Sequence, residues 1–169
     1  YEMQEVLDDY LNYCYNDGLI TVSDSWKFMR MQLAGATLDF NVSEDIYYDN
    51  VERGFRAHDY LSLYKNKSVR AVGKICARIV AVETEEGMQY EAEYGELTEE
   101  RKRKILLAIT DGDEHGYDLR NIKHRYFFVE KFYETDFKKI TPRAPMGTRV
   151  FDLTQVLETE NLPETQEIA

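Results

Sequence analysis

The hydrophobic pattern is densest between residues 55 and 82, FRAHDYLSLYKNKSVRAVGKICARIVAV. Within residues 58–65, Tyr60, Ser62 and Tyr64 fall on one face and Leu61 and Leu63 on the other. That period of two predicts a half-buried strand. Asn66-Lys67 follows and predicts a short hairpin turn, although Asn-Gly is the stronger signal. Val69, Val72, Ile75, Ile79, Val80 and Val82 then form a run rich in β-branched residues, which fit a pleated surface. Gly73 interrupts the run and marks a bulge or bend. Residues 69–82 are therefore read as one long bent strand, or two strands with a kink. Further on, Tyr126, Phe127, Phe128, Val129, Phe132 and Tyr133 predict an aromatic strand, and residues 148–153 (TRVFDL) another. Pro142, Pro145 and Gly147 punctuate the connection between them.

The flanking segments carry other periods. Val6, Leu7, Tyr10, Leu11 and Cys14 recur at helical spacing and predict a helix over residues 1–15, with Gly18 as its stop. Ser23 or Asp24 is placed to cap a second helix over residues 25–33, ended by Gly35. Leu38, Phe40 and Val42 alternate with polar residues and predict a strand within residues 37–48. Residues 83–100 hold eight glutamates and no base. They read as a solvated excursion with some helix, beginning at a turn around Gly87. Thr98 is a good N-cap for a helix to about Ile109, with Glu99 and Glu100 in its positive first turn. Residues 111–118 read as a loop, and residues from 157 onward as an acidic tail with a disordered end.

A strand ending in GKI, a helical insertion, the aromatic strand RYFFVEKF and the closing strand FDL resemble, in that order, the PUA-like superfamily. The nearest type is the EVE/ASCH small β-barrel of bacterial proteins, some linked to nucleic-acid modification or phage defence. The resemblance spans about residues 55–155 and rests on pattern and element order. It implies an α+β fold with a mixed β-barrel, flanking N-terminal helices and a helical insertion. The expected organisation is an N-terminal helical segment (1–36), the barrel domain (37–157) and the acidic tail (158–169).

Charge sharpens the picture. The chain has 169 residues and a formal net charge of −11. Two segments run against that balance. Residues 51–79 carry Arg53, Arg56, Lys65, Lys67, Arg70, Lys74 and Arg78 against Glu52 and Asp59. Residues 120–149 carry Arg120, Lys123, Arg125, Lys131, Lys138, Lys139, Arg143 and Arg149 against Glu130, Glu134 and Asp136. Both belong to the expected barrel. If they meet, one face is positive on an otherwise acidic molecule and suits phosphate.

Arg56, Lys65, Lys67, Arg70, Lys138, Lys139 and Arg149 are the candidate phosphate contacts. Tyr60, Tyr64 and Tyr126 are the candidate stacking rings. Trp26, Phe128 and Tyr133 are further rings of the right kind, since bases outside a duplex are held by aromatic stacking. The competing reading makes the rings core and the bases solvated strand faces.

Other chemistry has less support. Asp111, Asp113, Glu114, His115 and Asp118 are potential metal ligands, but the stretch fails the calcium-loop spacing, with Ile122 where a bidentate Glu belongs. His58, His115 and His124 lack paired metal spacing. Ser62 and Ser68 lack a GxSxG context, and no dinucleotide or P-loop glycine motif occurs. Asp39, Glu44, Asp45 and Asp49 with Lys27 are only a loose nuclease set. Cys14 and Cys76 are two unpatterned cysteines, read as free thiols of a cytoplasmic protein. No apolar run is long enough for a membrane span. The start at Tyr1 without Met leaves room for an upstream domain. The expected function is non-enzymatic recognition of nucleic acid, including a modified base, in a bacterial or phage system, with no cofactor. The alternatives are an acidic protein-interaction module or nucleic-acid mimic, and a metal-dependent nuclease domain.

Overall fold

The computed structural model describes residues 3, 5–7, 9, 24–143, 145 and 147–169. Met3, Glu5, Val6, Leu7 and Asp9 are helical and exposed. The rest of the helix expected over residues 1–15, including Cys14, lies outside the described residues.

The fold is α+β. Among the described residues, seven strands form one sheet: β1 (Phe28–Leu33), β2 (Ile46–Asn50), β3 (Tyr60–Lys65), β4 (Ser68–Thr84), β5 (Gly87–Tyr94), β6 (His124–Lys138) and β7 (Arg149–Asp152). Besides the helical residues near the start, the described residues include the helices α1 (Leu38–Glu44), α2 (Glu99–Glu114), α3 (Leu153–Val156) and α4 (Thr165–Ile168). The order across the sheet is β2-β6-β4-β3-β1-β7, with β5 added to β4. β1 and β3 run parallel and every other pair is antiparallel.

β4 is the organising strand. One edge pairs with β6 along most of its length; the other pairs first with β3 and then with β5. The turn into it has φ of 52° at Asn66 and 61° at Lys67. Two consecutive positive φ values are what a right-twisted two-residue hairpin needs. The register against β6 shifts three times, once between Gly73 and Ile75. A Cβ on Gly73 would lie 2.9 Å from Val129 Cβ and 3.0 Å from Phe132 Cδ1. The long strand bends where the chain carries no side chain.

The sheet is open, with β2 and β7 as its ends, so the closed barrel is not reached through backbone pairing. It is nonetheless strongly curled. Arg30 on β1 meets Asp49 on β2 at 3.1 Å with three strands between them in the sheet. Inside the curl, Leu61, Leu63, Ala71, Phe127, Val129 and Phe132 form one core, capped by Leu38, Val42 and Phe55. A second core packs Ile105, Ala108 and Ile109 of α2 on Ile46, Ile79, Tyr126 and Phe128. A third, of Met31, Tyr64, Val69 and Val72, lies against Ile168 and Ala169 at the chain end.

Several expected elements change identity. Residues 28–33 form a strand rather than a helix, because it is buried on both sides and carries Arg30 and Gln32 inward. Residues 38–44 form a helix rather than a strand, with Leu38 and Val42 one turn apart on the inner core. The glutamate-rich excursion is the hairpin strand β5. Asp111, Asp113 and Glu114 end α2 instead of sitting in a loop. The acidic tail returns to the sheet: Thr165 is buried, and Thr135 Oγ1 donates to Ala169 O at 2.6 Å. Thr98 caps α2 as expected, accepting from Arg101 N at 3.2 Å. No helix among the described residues is long and apolar enough to cross a membrane.

Candidate nucleic-acid interface

The hairpin turn fixes where the cations gather. Arg70 folds back over it, donating from Nε to Lys65 O at 3.1 Å. Lys139 N donates to Lys67 O at 2.8 Å, which ties the end of β6 to the turn. Lys138 stands opposite Ser68 in the ladder, and Phe137 opposite Val69. Val69 in turn faces Tyr64, and Met31 faces Arg149. The Phe137–Val69–Tyr64 row and, two residues along β1 from Tyr64's partner Leu33, the Met31–Arg149 pair line a groove running from β6 to β7.

That groove has a volume of about 850 Å³. Met31, Tyr64, Val69 and Phe151 form its floor, while Phe137 and Ile140 stand at its side. Lys138, Lys139, Arg143 and Arg149 supply its charge. Phe137 is 70% exposed and Ile140 96% exposed, although both are apolar. Isolated exposed apolar residues are ordinary, but these two adjoin one concave apolar surface ringed by cations.

The cations differ in how far they are committed. Asp136 accepts from Ser68 Oγ at 2.6 Å and pairs with Arg70 at 3.1 Å and Lys138 at 3.5 Å. The Ser68 hydrogen bond, more than the neighbouring cations, holds the Asp136 carboxyl below its ordinary range. Lys139 Nζ donates to Thr141 O at 2.8 Å and to Arg143 O, which folds the following loop without cancelling its charge. Lys65, Lys67, Arg143 and Arg149 have no ion-pair partner among the described residues.

Of the seven candidate phosphate contacts and three candidate stacking rings, Tyr64, Lys138, Lys139 and Arg149 line this groove. Lys65, Lys67 and Arg70 sit on the adjoining hairpin. Three lie elsewhere. Tyr126 is fully buried in the core beneath α2, because it points to the opposite side of β6 from Phe127. Tyr60 is buried too, and that burial raises its phenol pKa. Arg56 lies over the Phe28 ring, 4.0 Å from its centroid. Sequence reasoning missed Phe137, Arg143 and Phe151. A signal for Phe137 exists: in ETDFKKITPR it is an aromatic residue with no apolar partner two positions away, so no strand face can bury it.

A second polar cluster lies inside the curl. The Phe55 ring has Arg30, Arg78 and Arg125 around it at 5.5, 5.0 and 4.9 Å. Asp49 is shared by Arg30 and Arg53, and Glu93 by Arg78 and Arg125. Gln32 completes the set, with its amide oxygen toward Arg30 and its nitrogen 3.0 Å from Thr148 Oγ1. Burial lowers the Arg30 pKa, and Asp49 opposes that shift. Next to this cluster, a cavity of about 460 Å³ opens between the end of β1 and β2, lined in part by Tyr47, Asp49, Asn50 and Arg53. His58 is buried against the Phe55 and Phe127 rings, with Nδ1 2.7 Å from Arg56 O and Nε2 without a partner. Burial lowers its pKa from the ordinary 6.5 to about 4.

The groups considered for metal do not converge. Asp113 pairs with Arg120, Asp118 accepts from Asn121, and His115 Nδ1 contacts Asp111 O. Among the described residues no three His, Cys, Asp or Glu side chains are placed to hold an ion together. No family model, curated protein or solved structure matches the chain.

Proposed function

We propose that this protein is a non-enzymatic nucleic-acid recognition module that binds through the groove between β6 and β7. The observation that carries this reading is one apolar concavity whose lining cations come from the second basic segment, with the hairpin of the first segment, far away in sequence, tied beside it. Lys139 and Arg149 come from one segment and Lys67 from the other, and the backbone contact between Lys139 and Lys67 joins them. Cations hold phosphates, and rings or apolar surface hold bases. The acidic remainder of the chain keeps net charge negative and disfavours indiscriminate adhesion to polyanions. The same reading takes the curled sheet as a PUA-like barrel left open between β2 and β7. It rests on element order and on the Arg30–Asp49 contact across the interior. A modified base as the ligand, and a cytoplasmic setting in a bacterial or phage system, belong to this proposal.

The test is binding of labelled DNA and RNA, with and without modified bases, followed by anisotropy at low and moderate salt. Binding should weaken steeply with salt, and each lost phosphate contact should reduce the slope of log K against log salt by about 0.7–0.9. K67A, K139A and R149A should each weaken binding and flatten that slope. Absence of binding to every nucleic acid at low salt overturns the proposal. Capture of a basic protein instead would favour the acidic-mimic alternative.

A further inference from the structure

We infer that the groove takes single-stranded nucleic acid, with bases against its apolar wall and phosphates along its cationic rim. This rests on the nucleic-acid reading above and narrows its ligand.

The groove divides its labour between apolar floor and cationic rim. Tyr64, Val69 and Phe151 offer apolar surface where the concavity is deepest, and Lys138, Lys139 and Arg149 carry charge around it. A duplex keeps its base faces stacked inside and shows a protein phosphates, sugars and base edges. It has only sugar edges and thymine methyl groups, not base faces, to place on an apolar floor. A single strand can turn its bases outward onto such a surface while its phosphates stay at the rim.

Phe137 adds an aromatic ring at the side of the groove. It is 70% exposed between Asp136 and Lys138, on a strand whose ring positions nearer its start are core. Its ring is available for stacking, and Lys138 and Lys139 follow it directly in the chain. An aromatic ring with adjacent cations is the unit that single-strand binders repeat. A concavity of about 850 Å³ is of the class that encloses small ligands. It admits a few splayed nucleotides and not the body of a duplex.

The experiment compares three probes on the full chain: a short pyrimidine-rich DNA single strand, the same sequence as a duplex, and inorganic polyphosphate. The expected result is at least about tenfold tighter binding of the single strand than of the duplex. F137A should weaken the single strand about tenfold, the loss of one stacked base. It should leave the weaker binding of duplex and polyphosphate unchanged, and F137W should restore single-strand affinity. Because Phe137 is exposed, a melting curve should show the F137A fold intact. Equal affinity for strand and duplex, or an F137A variant with full single-strand affinity, overturns this inference and leaves the broader reading standing. Tighter binding of polyphosphate than of any nucleic acid, or no nucleic-acid binding at all, overturns both.

Discussion

Arg30 on β1 and Asp49 on β2 meet at 3.1 Å, although β6, β4 and β3 lie between their strands in the sheet. The contact joins two strands of an open sheet through side chains where no backbone ladder exists. Arg30 is almost wholly buried and Asp49 nearly so. Removing Asp49 leaves the buried Arg30 charge with only the neutral Gln32 amide oxygen to accept from it. Asp49→Ala should therefore destabilise the fold by about 3–5 kcal/mol, read as a lower urea midpoint. Replacing both residues by apolar ones of similar size should recover part of that loss. If Asp49→Ala melts like the native chain, the pair does not close the curl.

His58 makes stability depend on pH. Its Nδ1–H donates to Arg56 O, so Nε2 is the bare nitrogen, and it is buried without a partner. A proton there would face Arg30 and Arg78, whose charges add to the burial that lowers the pKa to about 4. The folded state thus binds fewer protons than the unfolded state between pH 4 and 6.5. Stability rises with pH across that window and is lost as pH falls through it, by up to about 3 kcal/mol. Denaturation midpoints at pH 7 and pH 5 should differ in that direction. His58→Phe should flatten the difference, and an unchanged difference in that variant would assign the effect to other groups.

Tyr126 was legible as an aromatic strand residue but not as core, and it offers a separate test. Its hydroxyl is buried with no hydrogen-bond partner. Desolvation without compensation is unfavourable. Tyr126→Phe should leave stability unchanged or raise it by up to about 1 kcal/mol. Nucleic-acid binding should not change, because the ring lies beneath α2, away from the groove. A clear loss of stability would show that the hydroxyl is satisfied in solution.

The sequence was most readable where side-chain period and backbone demand agree. The run through Val69, Val72 and Ile75 with Gly73 announced a long bent strand, and Thr98 announced a helix start. It was least readable where a strand is buried on both sides. In FMRMQL, Arg30 and Gln32 point inward and meet Asp49 and Thr148. The inner face therefore looks polar, and Met and Gln look helical. Leu38 and Val42 fit a period of two and also one helical turn, and only packing against α1's neighbours decides between them. In β5, Met88, Tyr90 and Ala92 alternate with Gln89, Glu91 and Glu93, a strand pattern hidden by its glutamate content. The basic groove was half visible: its charge clusters could be counted, but the cross-strand row that joins them depends on register.

Lys67 separates stability from function. Its φ is 61°, in the left-handed region that an L side chain other than Asn or Asp seldom occupies. A glycine at this exposed position completes the Asn-Gly pair that two-residue hairpins prefer. Lys67→Gly should thus stabilise the fold by up to about 1 kcal/mol, the relief of left-handed strain less the added freedom of the unfolded chain. The same substitution removes an uncommitted cation from the hairpin that adjoins the groove. Nucleic-acid affinity at low salt should fall several-fold, and the salt slope should drop by about one phosphate contact. Thermal melting and salt-titrated anisotropy on one variant read both effects. A variant that melts higher and binds less tightly places Lys67 on the interface. A variant that melts higher and binds as before removes it from the interface and confines phosphate contact to the cations of β6 and β7.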